Sequence, residues 1–202
     1  MVETALKSGL ISLNINPQYV TSLLLYIELL EKWNKVYNLT AIRERSQIVS
    51  KHIFDSLSIL PHIQGHRLLD IGTGAGLPGL VLAIVQPNLH CVLLDSNAKK
   101  TRFLQQAIIA LQLNNVDIVT NRIEQYVSSD LFNTITCRAY SNLQDFYQQA
   151  IHLCAPEGKL LAMKGEYPQD EIAKLQSQHI LVQTVALHVP QLNAERHLVI
   201  LN

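Results

Sequence analysis

Apolar positions in the first third of the chain recur at helical spacing. Val20, Leu23, Leu24, Ile27 and Leu30 follow Pro17, and Trp33, Val36 and Tyr37 continue the stripe. Asn38-Leu39-Thr40 interrupts it. The pattern over 46–51 predicts a second short helix, and Asp55 predicts a cap for one more turn before Pro61. Residues 1–60 therefore read as a helical extension. Core packing is the plain reading of its aromatic stripe.

From residue 67 the period changes. Short apolar runs cover 67–71, 90–95, 116–120, 134–138 and 159–163. Each suits a buried parallel strand. Helical stretches separate them, among them 80–85, 99–113 and 143–154. Two further runs, 181–187 and 197–201, are joined by the turn-rich segment 190–195, which leaves little room for a helix. They read as an antiparallel pair at one sheet edge. The alternation predicts an open α/β sheet over residues 61–202. No internal repeat and no linker interrupts the chain, so 1–202 is expected to form one domain.

The chain has 202 residues, 48% of them apolar and 16% charged. That composition excludes intrinsic disorder, which needs low hydrophobicity and high net charge. No apolar run is long enough to cross a membrane, and residues 1–9 carry Glu3 and Lys7 with no hydrophobic signal core. A cytoplasmic location is expected. Sixteen Lys and Arg balance sixteen Asp and Glu. This argues against a surface that is basic throughout and leaves room only for a local cationic patch. Cys91, Cys137 and Cys154 are widely spaced and form no C-x-x-C pair, so neither a zinc knuckle nor a redox pair is indicated. Nothing marks an obligate oligomer, and a monomer is expected.

The strongest chemical signal is Leu68-Leu69-Asp70-Ile71-Gly72-Thr73-Gly74-Ala75-Gly76-Leu77-Pro78-Gly79. It follows an expected strand and opens an expected helix, with Pro78 in the first helical turn. Glycines there permit positive φ and let a ligand approach the backbone. In open α/β sheets, ligands sit at the carboxyl ends of the strands. Gly74-x-Gly76-x-x-Gly79 formally matches the dinucleotide fingerprint, and Asp95 follows Gly74 by 21 residues, near the expected ribose-binding acid. A nicotinamide or flavin dinucleotide is therefore one reading. Asp70 opposes it: a carboxylate just before the loop is awkward beside a pyrophosphate and welcome beside a cation. S-adenosylmethionine carries a sulfonium and an ammonium and no phosphate. The Asp-x-Gly-x-Gly-x-Gly pattern, with Asp95 ending the next strand as acceptor for ribose hydroxyls, fits that cofactor better. A purely structural glycine turn is the third reading. No P-loop and no Gly-x-Ser-x-Gly elbow occurs.

Several segments together resemble the bacterial 16S ribosomal RNA guanine-N7 methyltransferases, the glucose-inhibited division protein B family. They are Trp33 to Thr40, His52-Ile53-Phe54-Asp55-Ser56-Leu57, the loop from Asp70 to Gly79, and Leu94-Asp95-Ser96. Arg138-Ala139, Lys164-Gly165 and Glu195-Arg196-His197-Leu198-Val199 complete the set. Cys137, Tyr140 and Ala194 stand where serine, phenylalanine and glycine are common in that family. The resemblance implies a Rossmann-like class I fold with a seven-stranded, mostly parallel sheet. It implies S-adenosylmethionine as methyl donor and a guanine of 16S rRNA, in the small ribosomal subunit, as acceptor. Its cofactor contacts fall on Gly72, Leu77, Ile123, Glu124 and Arg138; the loop argument adds Asp70, Gly74 and Asp95. A methyltransferase with another acceptor, or a dinucleotide-binding protein, is the alternative.

Guanine N7 carries a lone pair and no proton, so its methylation needs no general base. Positioning then does most of the chemistry. Arg138, Lys164 and Arg196 are the positioning candidates, and Lys164, Arg196 and His197 the RNA-binding ones. Lys99-Lys100-Thr101-Arg102 reads as a solvated helix face that could also steer RNA. Arg43, Arg45, Lys51 and His52 form a second basic cluster. His52 and Asp55, one helical turn apart, read as a hydrogen-bonded pair rather than a metal site. An adjacent arginine could activate Cys137, but a buried, inert thiol is the plainer reading.

Overall fold

A computed structural model describes residues 1–202. The apolar runs become five parallel strands: β1 (Arg67–Ile71), β2 (His90–Asp95), β3 (Val116–Thr120), β4 (Phe132–Arg138) and β5 (Cys154–Lys164). The last two runs form β6 (Val182–Ala186) and β7 (His197–Leu201). The sheet order is β3-β2-β1-β4-β5-β7-β6. β7 runs antiparallel to both β5 and β6, so the expected pair closes one edge. The order reverses between β1 and β4, which places the topological switch point at the ends of these two strands. β3 departs from the buried-strand expectation. It lies at the opposite edge, is only half covered, and turns Asp117 and Thr120 outward.

Eight α-helical segments accompany the sheet: α1 (Val2–Ser12), α2 (Val20–Tyr37), α3 (Arg45–Ile48), α4 (Asp55–Leu57), α5 (Gly79–Val85), α6 (Ala98–Leu111), α7 (Leu143–Ala150) and α8 (Gln169–Gln176). A π-helical stretch, Val49–Phe54, joins α3 to α4. Residues 45–57 thus form one continuous helical run. Asp55 therefore caps no new turn and is free to point elsewhere. Pro78 is the residue that precedes α5.

The two sheet faces carry separate apolar layers. On one face α5 and α6 pack together with α1, α2 and the 45–57 run. Leu6, Leu23, Ile27, Leu30, Phe54, Leu80, Val81, Phe103 and Leu104 are all fully buried there. On the other face α7, the 3-10 turn Ile151–Leu153 that follows it, and α8 bury Phe146, Leu153, Ile172 and Leu175. The N-terminal helices therefore complete the core rather than append to it. Burying a Leu or Phe side chain contributes about 1.5–3 kcal/mol. Tyr26 of α2 also ties the two regions: its hydroxyl donates to the Ala75 carbonyl at 2.8 Å in a buried setting.

Candidate active site

The glycine loop is held from below by Asp70. This carboxylate is fully buried, and its Oδ2 accepts from the Thr73 hydroxyl at 2.6 Å and from the Gly79 amide at 2.8 Å. Its other oxygen, Oδ1, has no hydrogen-bond partner. Burial pushes the Asp70 pKa up to about 7, against the opposing pull of those two bonds. A direct contact with a cationic ligand was the expectation for Asp70. The carboxylate instead lies beneath the loop and outside the cleft, because its strand position turns it into the core.

Above the loop is a first cavity of about 320 Å³. Gly72, Leu94, Asp95, Ser96, Ile123, Glu124 and Tyr140 line it. Gly72 has φ +68°, and the space where a Cβ would point is empty. The backbone is therefore open to a ligand at the end of β1. Asp95 ends β2 and accepts from Gly74 N at 2.9 Å, Asn97 N at 2.8 Å and Lys100 Nζ at 3.4 Å. These bonds aim the carboxylate and join it to the glycine loop. Ile123 and Glu124 stand on a short 3-10 turn just beyond β3.

The residues fit the cofactor the sequence suggests. An apolar side chain, two acids and an open backbone edge suit an adenosine bearing a sulfonium. The cavity also has two cations, Lys100, which pairs with Asp95, and Arg122. Gly74 and Leu77, expected at the cofactor, lie outside the lining. Gly74 acts through its amide on Asp95, and Leu77 is buried against the helical layer.

A second cavity of about 440 Å³ opens on the other side of the β4 terminus. Lys51, Asp55, Arg138, Lys164, Arg196 and His197 face it. Arg138, expected at the cofactor, lines this second cavity and is not among the residues lining the first. Ala139 explains the separation. It sits at φ +58°, an uncommon conformation for a residue with a Cβ, so Arg138 lines the second cavity and Tyr140 the first. The segment Arg138-Ala139-Tyr140 is a wall shared by the two cavities.

Asp55 is the element that sequence reading assigned differently. It makes no bond to His52. Its Oδ2 accepts from Arg138 Nη1 at 3.3 Å, and its Oδ1 accepts from Arg196 Nε at 3.0 Å. Burial raises its pKa while the two guanidiniums pull it down. His52 is buried on its own. Its Nδ1 faces the Lys51 carbonyl at 3.0 Å, so that nitrogen carries the proton, and Nε2 accepts from the Thr40 hydroxyl at 2.7 Å. Burial and the nearby Arg138 charge lower its pKa to about 4, which keeps the ring neutral at pH 7.

The expected basic cluster disperses. Arg45 pairs with Glu31 and Arg43 with Asn38, so only Lys51 reaches the cavity. Lys164 pairs with Glu171 of α8 at 2.9 Å. Glu171 also accepts from the Leu143 amide at the start of α7. Neither Glu171 nor its helix was read from the sequence, since two buried apolar residues in eight make a faint stripe. Cys137 is buried, and burial pushes its thiol pKa well up, so it supplies no thiolate.

Residues 20–199 match the GidB family, described as rRNA small subunit methyltransferase G. The chain belongs to the rRNA small subunit methyltransferase G family. It is 52% identical over 199 residues to the protein of that name from Nitrosococcus oceani, covering 98% of this chain and 93% of the relative. The protein of the same name from Laribacter hongkongensis is 47% identical over 196 residues, covering 96% and 95%. In fold, the chain is similar to a SAM-dependent methyltransferase from Aquifex aeolicus, with a TM-score of 0.58 and 18% identity over 77% of this chain and 92% of that one. Membership in the family makes the chain an rRNA methyltransferase. No helix is long and apolar enough to cross a membrane.

Proposed function

We propose that this enzyme methylates N7 of a guanine in 16S rRNA within the small ribosomal subunit, acting as a cytoplasmic monomer. The first cavity is the cofactor seat, with Gly72, Asp95, Ile123 and Glu124 as its contacts. The second cavity is the acceptor seat, with Arg138, Lys164, Arg196 and His197 around the base and its flanking backbone. The observation that carries this reading is the shared wall at Arg138-Ala139-Tyr140, which sets a cationic cavity directly beside the cleft over the strand switch point.

When bound, S-adenosylmethionine supplies an electrophilic methyl group on its sulfonium. The chain's own residues hold the acceptor in line with it. Guanine presents N7 and O6 on one edge, both as acceptors. Cations around the cavity suit O6 and phosphate oxygens, leaving N7 free to attack. The one carboxylate in the cavity has both oxygens turned to guanidiniums rather than to the open space of the cavity. N7 needs no proton removed. An exocyclic amine or a carbon acceptor would.

The test is transfer of labelled methyl from S-adenosylmethionine to small-subunit particles lacking the modification, followed by nucleoside analysis. Label in 7-methylguanosine is expected. Label in another nucleoside overturns the acceptor atom. Label on protein alone, or none on particles by enzyme shown to bind cofactor, overturns the assignment of the substrate.

A further inference from the structure

The two guanidiniums in the acceptor cavity come from different parts of the sheet. Arg138 ends β4, and Arg196 directly precedes β7, with β5 between these strands. Two like charges this close would repel and splay in the absence of a partner. Asp55 supplies one. It arrives from the N-terminal helices and bonds one guanidinium with each of its oxygens, at 3.3 and 3.0 Å. Its own side chain is 5% exposed, whereas those of Arg138 and Arg196 are 22% and 23% exposed. The carboxylate is thus more enclosed than the two arginines it joins, which keep part of their surface exposed at the cavity.

Each guanidinium has a further anchor. Arg138 Nη1 donates to the Lys51 carbonyl at 3.3 Å, and Arg196 Nη1 donates to the Glu195 carbonyl at 2.7 Å. The Asp55 backbone is itself immobilised. Ile53, Phe54 and Leu57 on either side are fully or almost fully buried in the core shared by the helical extension and α5. A single carboxylate between two guanidiniums also leaves a net positive charge facing the cavity. An electron-rich base edge or a phosphate can meet that charge without displacing the anchor.

We propose that Asp55 is a positioning residue for methyl transfer: it clamps Arg138 and Arg196 at fixed separation and so shapes the acceptor seat, through which the N-terminal helices enter the active site. This rests on the second cavity being the acceptor seat. Asp55 touches neither reacting atom and acts through the two arginines.

The experiment measures kcat and KM for unmodified small-subunit particles, the Kd for S-adenosylmethionine, and the melting temperature. The full-length variants are Asp55→Asn, Asp55→Glu, Arg138→Gln, Arg196→Gln and the double variant Asp55→Asn with Arg196→Gln. Asp55→Asn is expected to lower acceptor kcat/KM about 100-fold, the scale of an ångström misplacement of a positioning group. Its cofactor Kd is expected to stay within about threefold of wild type, since the first cavity is separate. The double variant is expected to lose little more than Arg196→Gln alone, because both changes break one clamp. Additive losses, or a cofactor Kd that weakens in step with activity, would overturn the clamp. So would an Asp55→Asn enzyme with kcat/KM within threefold of wild type while either arginine variant is impaired. If neither arginine variant is impaired, the acceptor-seat reading itself fails and the clamp falls with it. Should Asp55→Asn not fold, Asp55→Glu decides: one added methylene displaces both guanidiniums. A loss of about tenfold or more at unchanged melting temperature supports the clamp, and full activity overturns it.

Discussion

Two buried titratable side chains respond to pH in opposite directions. Asp70 has a folded-state pKa of about 7, raised by burial. Between about pH 4 and 7 the folded form therefore keeps a proton that the unfolded chain has released. Stability from this group is present at low pH and lost as pH rises through 7. Replacing Asp70 by Asn removes that loss, which amounts to as much as about 4 kcal/mol. Denaturant titrations should show the variant gaining on wild type between pH 5 and 8.5; a constant difference would refute the buried-acid account. Asp70→Ala, which also releases Thr73 and Gly79, is expected to weaken cofactor binding about tenfold or more by calorimetry, through the loop rather than a direct contact. His52 behaves in the reverse sense. Its folded pKa of about 4 lies below the ordinary value of 6.5. Folding stability is complete above pH 6.5 and falls as pH drops toward 4, by about 3 kcal/mol in total. His52→Gln has no such dependence, so the advantage of wild type over the variant should shrink from pH 7 to 4.5.

The glycine loop separates two roles that look identical in the sequence. Gly72 has positive φ and nothing within 4 Å of a Cβ position. Gly72→Ala is expected to fold, at a cost of about 1–2 kcal/mol for the left-handed conformation. It should still lose cofactor affinity strongly, because the methyl occupies the ligand's side of the backbone. At Gly79 a Cβ would lie 2.4 Å from Leu93 Cδ2 and 2.8 Å from Asp70 Oδ2. Gly79→Ala should lower the melting temperature, with about 1–3 kcal/mol lost to overpacking. If melting curves and calorimetry show Gly72→Ala binding cofactor normally, the first cavity is not the seat. The strands were legible because buried parallel strands are short and apolar. α8 was not, because its placement depends on Ile172 and Leu175 meeting the second face and on Glu171 reaching Lys164 and α7.

Across the whole molecule, charges that cancel in number do not cancel in place. The chain has sixteen charges of each sign, yet Lys51, Arg138, Lys164 and Arg196 converge on one cavity with Asp55 as its single lining carboxylate. An acceptor held by three or four such cations should lose about tenfold to 100-fold in kcat/KM between 50 and 200 mM salt. Steady-state kinetics on small-subunit particles over that range is the check, and a flat response would remove phosphate contact from the account. The shared core makes a second point at this scale. The helical extension buries its apolar stripe with α5 and α6, so it reaches the second cavity through Asp55 and the glycine loop through Tyr26.

The sequence by itself determined the alternation of strands and helices, the antiparallel closing pair, the glycine loop and the acids that flank it. These are local features: period, turn chemistry and strand ends are written in neighbouring residues. Only the tertiary structure decided which side chains share a cavity. Arg138 faces the second cavity because Ala139 turns the backbone between it and Tyr140. Asp70 supports the loop because its strand position points inward. Asp55 joins Arg138 and Arg196 across 83 and 141 residues of chain. No periodicity registers a contact between charges that far apart; packing the helical extension against the sheet creates it.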